Sequence, residues 1–313
     1  MNIETFAGVV LARNIDVETP DAEISRLAHA KFTDKAFCQL NIIPFDETTT
    51  ADSIRIRIIS KLLKDRVVYV MKYTDVDTLL SDDWSEIATA SGWSRDLPLD
   101  DWRGCTFENK SLIKLELNGM LPRFWAGPTI SSLPESLGTF IRLQALTCID
   151  CDSLTALPAT LGNCVQLQKL TCDCCPSLTV LPATLGNCVR LQALNCTGCQ
   201  SLTELPATLG NCVQLKSLLC NYCVSMTALP ETLGNCVQLQ ELYCNDCKNL
   251  TALPVTLGNC AQLQKLRCEC CPSLTALPAT LGNCVQLEEI RCYGCSPAVE
   301  SQAEEILVLP HNL

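Results

Sequence analysis

The stretch LPATLGNCVQLQKLTCDCCPSLTV, from Leu157 to Val180, decides the fold, because it returns nearly unchanged at Leu181, Leu205, Leu229, Leu253 and Leu277. A looser copy begins at Leu133, which makes seven copies at a constant period of 24 residues without gaps. A period of that length signals a stack of similar coils, each burying its apolar side against its neighbours.

Each copy follows the pattern LxxLxCxxCxxLxxLPxxLGNCxx. In the copy that begins at Leu167 the apolar positions are Leu167, Leu170, Cys172, Cys175, Leu178, Leu181 and Leu185. Around Leu170 and Cys172 apolar and polar residues alternate, as in a short strand with one buried side. Pro182 sets the following turn, and Gly186-Asn187 is expected to supply a bend where glycine tolerates unusual φ. One coil therefore holds a strand on one face and an irregular or short helical return on the other. A single coil cannot bury its leucines. Stacked coils can, each adding a strand about 4.8 Å from the last, with roughly 1.5–3 kcal/mol per buried Leu.

The pattern resembles the leucine-rich repeat family, whose signature is LxxLxLxxN/CxL, and the resemblance covers residues 133–296. The form with Cys, two residues and Leu, followed by Leu-Pro, is similar to arrays in cytosolic plant immune receptors and algal repeat proteins. Cys172 and its equivalents depart from the usual Leu, as does Cys188 in the return segment. The resemblance implies an α/β solenoid: a curved right-handed coil with a parallel sheet on its concave face, preceded by a small α/β or helical segment. Upstream, Trp93, Asp96-Leu-Pro-Leu99, Asp101-Trp102-Arg-Gly104 and Leu115-Glu-Leu-Asn-Gly119 resemble the N-terminal cap of such arrays, with a first strand at Leu112, Leu115 and Leu117. The cap's usual Gly-Val-Thr stands as Gly104-Cys105-Thr106.

Four regions follow: an N-terminal segment over 1–75, a cap with a divergent first repeat over 76–132, the repeats over 133–296, and a capping helix and tail over 297–313. Ser296-Pro297 reads as a helix start, with Ser at the N-cap and Pro at N1. Val299, Ala303, Ile306 and Leu307 share a face that would cover the last coil. In the first region Pro20 and Thr49 or Thr50 read as helix starts, and Phe37–Ile43 and Val67–Val70 as strands.

Apolar residues form 48% of the 313-residue chain and aromatics only 5%, which suits a stack that repeats medium-sized side chains. The formal charge of −11 repels phosphate backbones, so nucleic acid is not an expected partner. No run reaches the ~20 apolar residues of a spanning helix. The N-terminus carries Glu4 early and lacks a basic region, so a soluble, cytoplasmic protein is expected, and the resemblance to such arrays implies a monomer.

Twenty-four cysteines would ordinarily point to secretion and disulfides. Each coil carries a Cys-x-x-Cys, from Cys148/Cys151 to Cys292/Cys295. Both cysteines fall at inward positions of the repeat, where a small apolar thiol can replace Leu or Asn. The expectation is an internal thiol ladder in a reducing compartment, with no metal or other cofactor. Tetrahedral zinc needs four gathered thiolates, and a repeat lattice spreads them along its axis. A cysteine-rich metal or redox protein remains the alternative.

The outward strand positions can be compared among the copies. The position after the second framework Leu reads Thr147, Thr171, Asn195, Leu219, Tyr243, Arg267 and Arg291. Two further on stand Ile149, Asp173, Thr197, Asn221, Asn245, Glu269 and Tyr293, followed by Asp150, Cys174, Gly198, Tyr222, Asp246, Cys270 and Gly294. The frame stays fixed while these sites diversify, and Tyr and Arg gather in the C-terminal half, as they do at interface hot spots. The candidate protein-binding residues are Leu219, Asn221, Tyr222, Tyr243, Asn245, Asp246, Arg267, Glu269, Arg291 and Tyr293.

Nothing in the sequence points to catalysis. His29 lies nine residues from Cys38, a pairing better explained by a solvated helix histidine and a buried cysteine. Phosphate-loop, HExxH and GxSxG motifs are absent. The expected function is protein-ligand binding on the concave face, in intracellular signalling or immune-type recognition. A second possibility is an adaptor that recruits an enzyme through residues 1–75.

Overall fold

The computed structural model describes residues 3–4, 10–12, 75–91, 98–102, 104–108, 111–118 and 130–308. The helices expected from Pro20 and Thr49, the strands expected at Phe37–Ile43 and Val67–Val70, His29, Cys38, Trp93 and His311 lie outside these residues. The chain divides into two compact units, Met1–Ala88 and Thr89–Leu313.

In the first unit β1 (Ile3–Glu4) pairs antiparallel with β2 (Val10–Ala12). Helix α1 (Asp75–Leu79) leads through a 3-10 turn at Asp82–Trp84 into α2 (Ser85–Ser91). Leu79 and Trp84 are fully buried.

The second unit is a solenoid on a nine-stranded sheet whose strands lie in chain order. It opens with a hairpin in which β3 (Cys105–Glu108) pairs antiparallel with β4 (Ser111–Asn118). Gly104 enters this hairpin at φ +78, and Trp102 packs edge-on against Phe107 at 5.9 Å. Leu112, Leu115 and Leu117 of β4 are buried, so the expected first strand is present and seeds the stack. Parallel to it follow β5 (Ala145–Ile149), β6 (Lys169–Asp173), β7 (Ala193–Asn195), β8 (Ser217–Leu219), β9 (Glu241–Tyr243), β10 (Lys265–Arg267) and β11 (Glu289–Arg291). From β5 onward the register advances one repeat per strand, with Leu170 opposite Leu194 and Leu194 opposite Leu218. No residue is skipped because the period is constant.

Each return segment is a short 3-10 turn after Leu-Pro, such as Ala159–Asn163 and Ala183–Asn187. Proline fits just before the turn because its ring fixes φ near the −66 and −65 found at Pro158 and Pro182. Leu157, Leu161, Cys164, Leu167, Leu170, Cys172, Cys175 and Leu178 of one coil are all buried. Each coil thus contributes a full ring of apolar contacts to its neighbours.

The return face is held by specific inter-coil bonds. The hydroxyl of Thr184 donates to the carbonyl of Ala159 at 2.5 Å, and Thr208, Thr232, Thr256 and Thr280 make the same bond, one coil further on each time, to Ala183, Ala207, Glu231 and Val255. The glycine of each LGN works with this ladder, and here the structure corrects the sequence reading. Among the described residues the left-handed glycines are Gly104, Gly198 and Gly294, and Gly186 is not one of them. A Cβ at Gly186 would lie 2.5 Å from the carbonyl oxygen of Thr208 in the next coil. Glycine is needed there for close approach, not for conformational freedom.

At the C-terminal end α3 (Pro297–Val308) packs on β11 and on the last 3-10 turn. Val299, Ala303 and Ile306 are buried under it. Gln302 accepts the Leu277 N–H at 2.8 Å, and Glu300 accepts the Gly294 N–H at 3.0 Å. Ser296 caps through its carbonyl, which accepts from Val299 and Glu300 at 3.0 and 3.2 Å. Its hydroxyl is buried without a hydrogen-bond partner, unlike the side-chain cap expected of Ser.

Candidate protein-binding face

The strand face is built from two outward columns. One runs through Thr171, Asn195, Leu219, Tyr243, Arg267 and Arg291, in register from strand to strand. The other, which holds none of the residues expected from the sequence, runs through Lys169, Ala193, Ser217, Glu241, Lys265 and Glu289. Its signal lay in the same repeats, one residue before the second framework Leu.

In the last three coils the two columns form one polar network. Lys265 Nζ lies 3.1 Å from Glu241 Oε1, and the Tyr243 hydroxyl donates to the same oxygen at 3.3 Å. The Arg267 guanidinium carbon sits 4.7 Å over the Tyr243 ring, a cation–π arrangement that fixes both side chains. Arg267 Nε and Arg291 Nε both reach Glu289 Oε1, at 2.6 and 2.8 Å. The hydrogen bond from Arg267 holds the Glu289 carboxyl below its ordinary range and raises the Arg267 guanidinium in turn. Glu289, Glu241 and Lys265 therefore belong with the candidate residues.

The other predicted residues divide by position. Leu219 is half-buried on its strand and in register with Tyr243. Asn221 and Asn245 are tied into the frame: Asn221 Oδ1 accepts the Asn245 N–H at 2.9 Å, and Asn245 Oδ1 accepts the Glu269 N–H at 2.8 Å. Their amides splice one coil to the next, so their side-chain acceptors are occupied.

Tyr222 and Asp246 stand at a turn that sequence periodicity hides. Asp150, Cys174, Tyr222, Asp246 and Cys270 all have φ between 53 and 58, and the matching Gly198 and Gly294 have φ 75 and 76. This column turns the chain off the strand in left-handed conformation, which disfavours a residue with a Cβ. Its variety of Asp, Cys, Gly and Tyr thus reflects a shared backbone demand as well as the surface. Tyr222 is nevertheless exposed, and Tyr293, at 79%, more so.

The cysteines form ladders inside the coils. Cys199, Cys223, Cys247 and Cys271 donate to the carbonyls of Cys172, Cys196, Cys220 and Cys244 of the preceding coil at 3.0, 3.1, 3.0 and 3.1 Å. On the return side Cys188, Cys212 and Cys236 donate to Leu161, Leu185 and Leu209 at 3.6 Å each. All the described cysteines are free thiols, and of these only Cys174 and Cys270 are exposed. Burial pushes the Cys212 thiol up to about 11 and that of Cys188 to about 12. Burial therefore keeps these thiols protonated at neutral pH.

No protein-family model matches the sequence, and no curated protein matches it. Solved structures do. The leucine-rich repeat domain of the type III effector XopL is 26% identical with a TM-score of 0.47, over 55% of this chain and 59% of that one. The leucine-rich repeat ectodomain of the receptor kinase GASSHO1/SCHENGEN3 from Arabidopsis thaliana is 23% identical with a TM-score of 0.47, over 71% of this chain and 29% of that one. A plant ice-binding protein is 18% identical with a TM-score of 0.48, over 71% of each chain. The match therefore spans less than two thirds of the effector and receptor chains.

Proposed function

We propose that this leucine-rich-repeat solenoid is a non-enzymatic interaction module that holds a protein ligand against the strand face of its C-terminal coils. The contrast between its two faces carries the proposal. On the return face the same Thr and Gly recur because each is committed to a neighbouring coil, and the same Pro because it sets up the 3-10 turn. On the strand face the backbone bonds are equally regular, yet the outward side chains change from coil to coil and culminate in Tyr243, Arg267, Arg291 and Tyr293. Tyr and Arg provide large contact areas with few torsions to freeze, which favours binding.

The proposal includes a cytoplasmic, reducing setting, since the inward thiols replace Leu as unoxidised apolar groups, and a monomer in signalling or immune-type recognition. Affinity capture from native cell lysate tests it, comparing the intact chain with a chain carrying Tyr243→Ala, Arg267→Ala, Arg291→Ala and Tyr293→Ala. Circular dichroism first establishes that both are folded. A protein retained by the first and lost by the second is the expected result. Equal retention by both would remove the strand face from the account.

A further inference from the structure

The two outward columns of the last three coils handle charge differently. One alternates in sign, Glu241, Lys265, Glu289, as stable cross-strand neighbours do. The other sets Arg267 directly beside Arg291, two like charges in register on adjacent strands, an arrangement that costs stability. Glu289 compensates only in part. It meets both guanidiniums through one oxygen, Oε1, and in each case through Nε. The outer Nη edges of both arginines are not used in those ion pairs, and a guanidinium edge with two parallel N–H donors matches a carboxylate. Tyr243 supports Arg267 from beneath, so the donors are already oriented.

We infer that Arg267 and Arg291 form a clamp for a carboxylate of the ligand, so that the partner presents an acidic peptide segment across β9–β11. The inference rests on the strand face being the binding surface. Its basis is local charge complementarity: the two guanidiniums share the one carboxylate oxygen they touch, with Glu269 acting on Arg267 at a distance, so the pair gains a directly bonded counter-charge when an acidic group arrives. The clamp's shortfall is one carboxylate, and a side-chain Asp or Glu of the ligand supplies it.

Glu289 is then an internal competitor as well as a positioning residue. Its removal should have opposite effects on two quantities. Glu289→Gln unshields the two arginines from one another and lowers stability, while freeing both for the ligand and raising affinity. A purely structural network predicts loss of both.

The test selects short random peptides displayed on phage against the intact chain, then measures the selected peptides against variants in solution. Asp- or Glu-rich peptides are expected, with affinity reduced at least about tenfold, 1.4 kcal/mol, by Arg267→Gln with Arg291→Gln, and increased by Glu289→Gln. Replacing the peptide's acidic residues by their amides should give the same loss, and the circular dichroism of each variant should match that of the intact chain. Neutral or basic peptides lost on Tyr243→Ala or Leu219→Ala would overturn the clamp and leave the strand-face reading standing. Peptides indifferent to every strand-face substitution, or no selected peptide, would overturn both.

Discussion

The thiol of Cys199 donates to the carbonyl oxygen of Cys172, one coil back, at 3.0 Å. The same bond recurs along the stack and explains why cysteine stands where a leucine repeat would place a larger apolar or amide side chain. The site is fully buried and close to main chain, so it has room for sulfur and use for a donor. Cys199→Ala should cost about 1–2 kcal/mol, from a lost hydrogen bond and a small cavity. Cys199→Leu should cost about 1–3 kcal/mol by overpacking. Urea unfolding with an unchanged m-value checks both.

Glycine has two separate roles, and substitutions should distinguish them. At Gly186 an added Cβ meets the carbonyl oxygen and Cβ of Thr208 at 2.5 and 2.6 Å. Main chain cannot give way locally, so Gly186→Ala should cost about 1–3 kcal/mol and spread strain into the next coil. At Tyr222 the problem is φ +58. Tyr222→Gly should leave stability unchanged or raise it by up to about 1 kcal/mol, whereas a β-branched residue there should lower it. Thermal unfolding of the three variants decides the matter.

The buried thiols make stability depend on pH in one direction. An unfolded cysteine ionises near pH 8.5, while burial holds the folded Cys212 thiol to about 11 and those of Cys236 and Cys260 to about 12. The folded state therefore binds protons that the unfolded state releases. This stabilisation is complete below about pH 8.5 and is lost as pH rises toward about 11–12. The urea midpoint should fall steadily between about pH 8.5 and 11, and a flat profile would contradict the burial of the ladder.

Exposure sets the order of thiol modification. Cys174 and Cys270 sit at the left-handed turn and are exposed, while most other thiols are buried. Brief treatment of the native chain with iodoacetamide, followed by peptide mass spectrometry, should label these two first. Extensive labelling of Cys172 or Cys196 before unfolding would show that the coils open far more readily than their packing implies.

The coil, its strand and its inward positions were all legible in the period of 24 residues, since burial repeats wherever the sequence does. What a residue touches in the next coil was less legible. Thr184 reaches Ala159, 25 positions back, and Cys199 reaches Cys172, 27 back. Such offsets arise from the pitch of the stack and leave no mark on a single copy. For that reason the sequence suggests backbone freedom at Gly186 and open surface at Asn221 and Asn245, where the structure has close approach and inter-coil bonds. The strand-face column through Tyr243, Arg267 and Arg291 was visible, but its partner Glu289 was not. Glu289 meets Arg291 two positions further along its own strand, and it meets Arg267 two register positions away on the neighbouring strand.

The central claim is that the strand face of the last coils, and not the return face, contacts the ligand. The direct measurement is a binding titration of the captured ligand against two single-face variants of matched charge change. One carries Leu219→Lys on the strand column, and the other carries Val213→Lys, at an exposed return-side position of the same repeat. The account predicts that Leu219→Lys weakens binding at least about tenfold, as the loss of an interface hot spot does, while Val213→Lys leaves it unchanged. Loss of binding with Val213→Lys and retention with Leu219→Lys would contradict it.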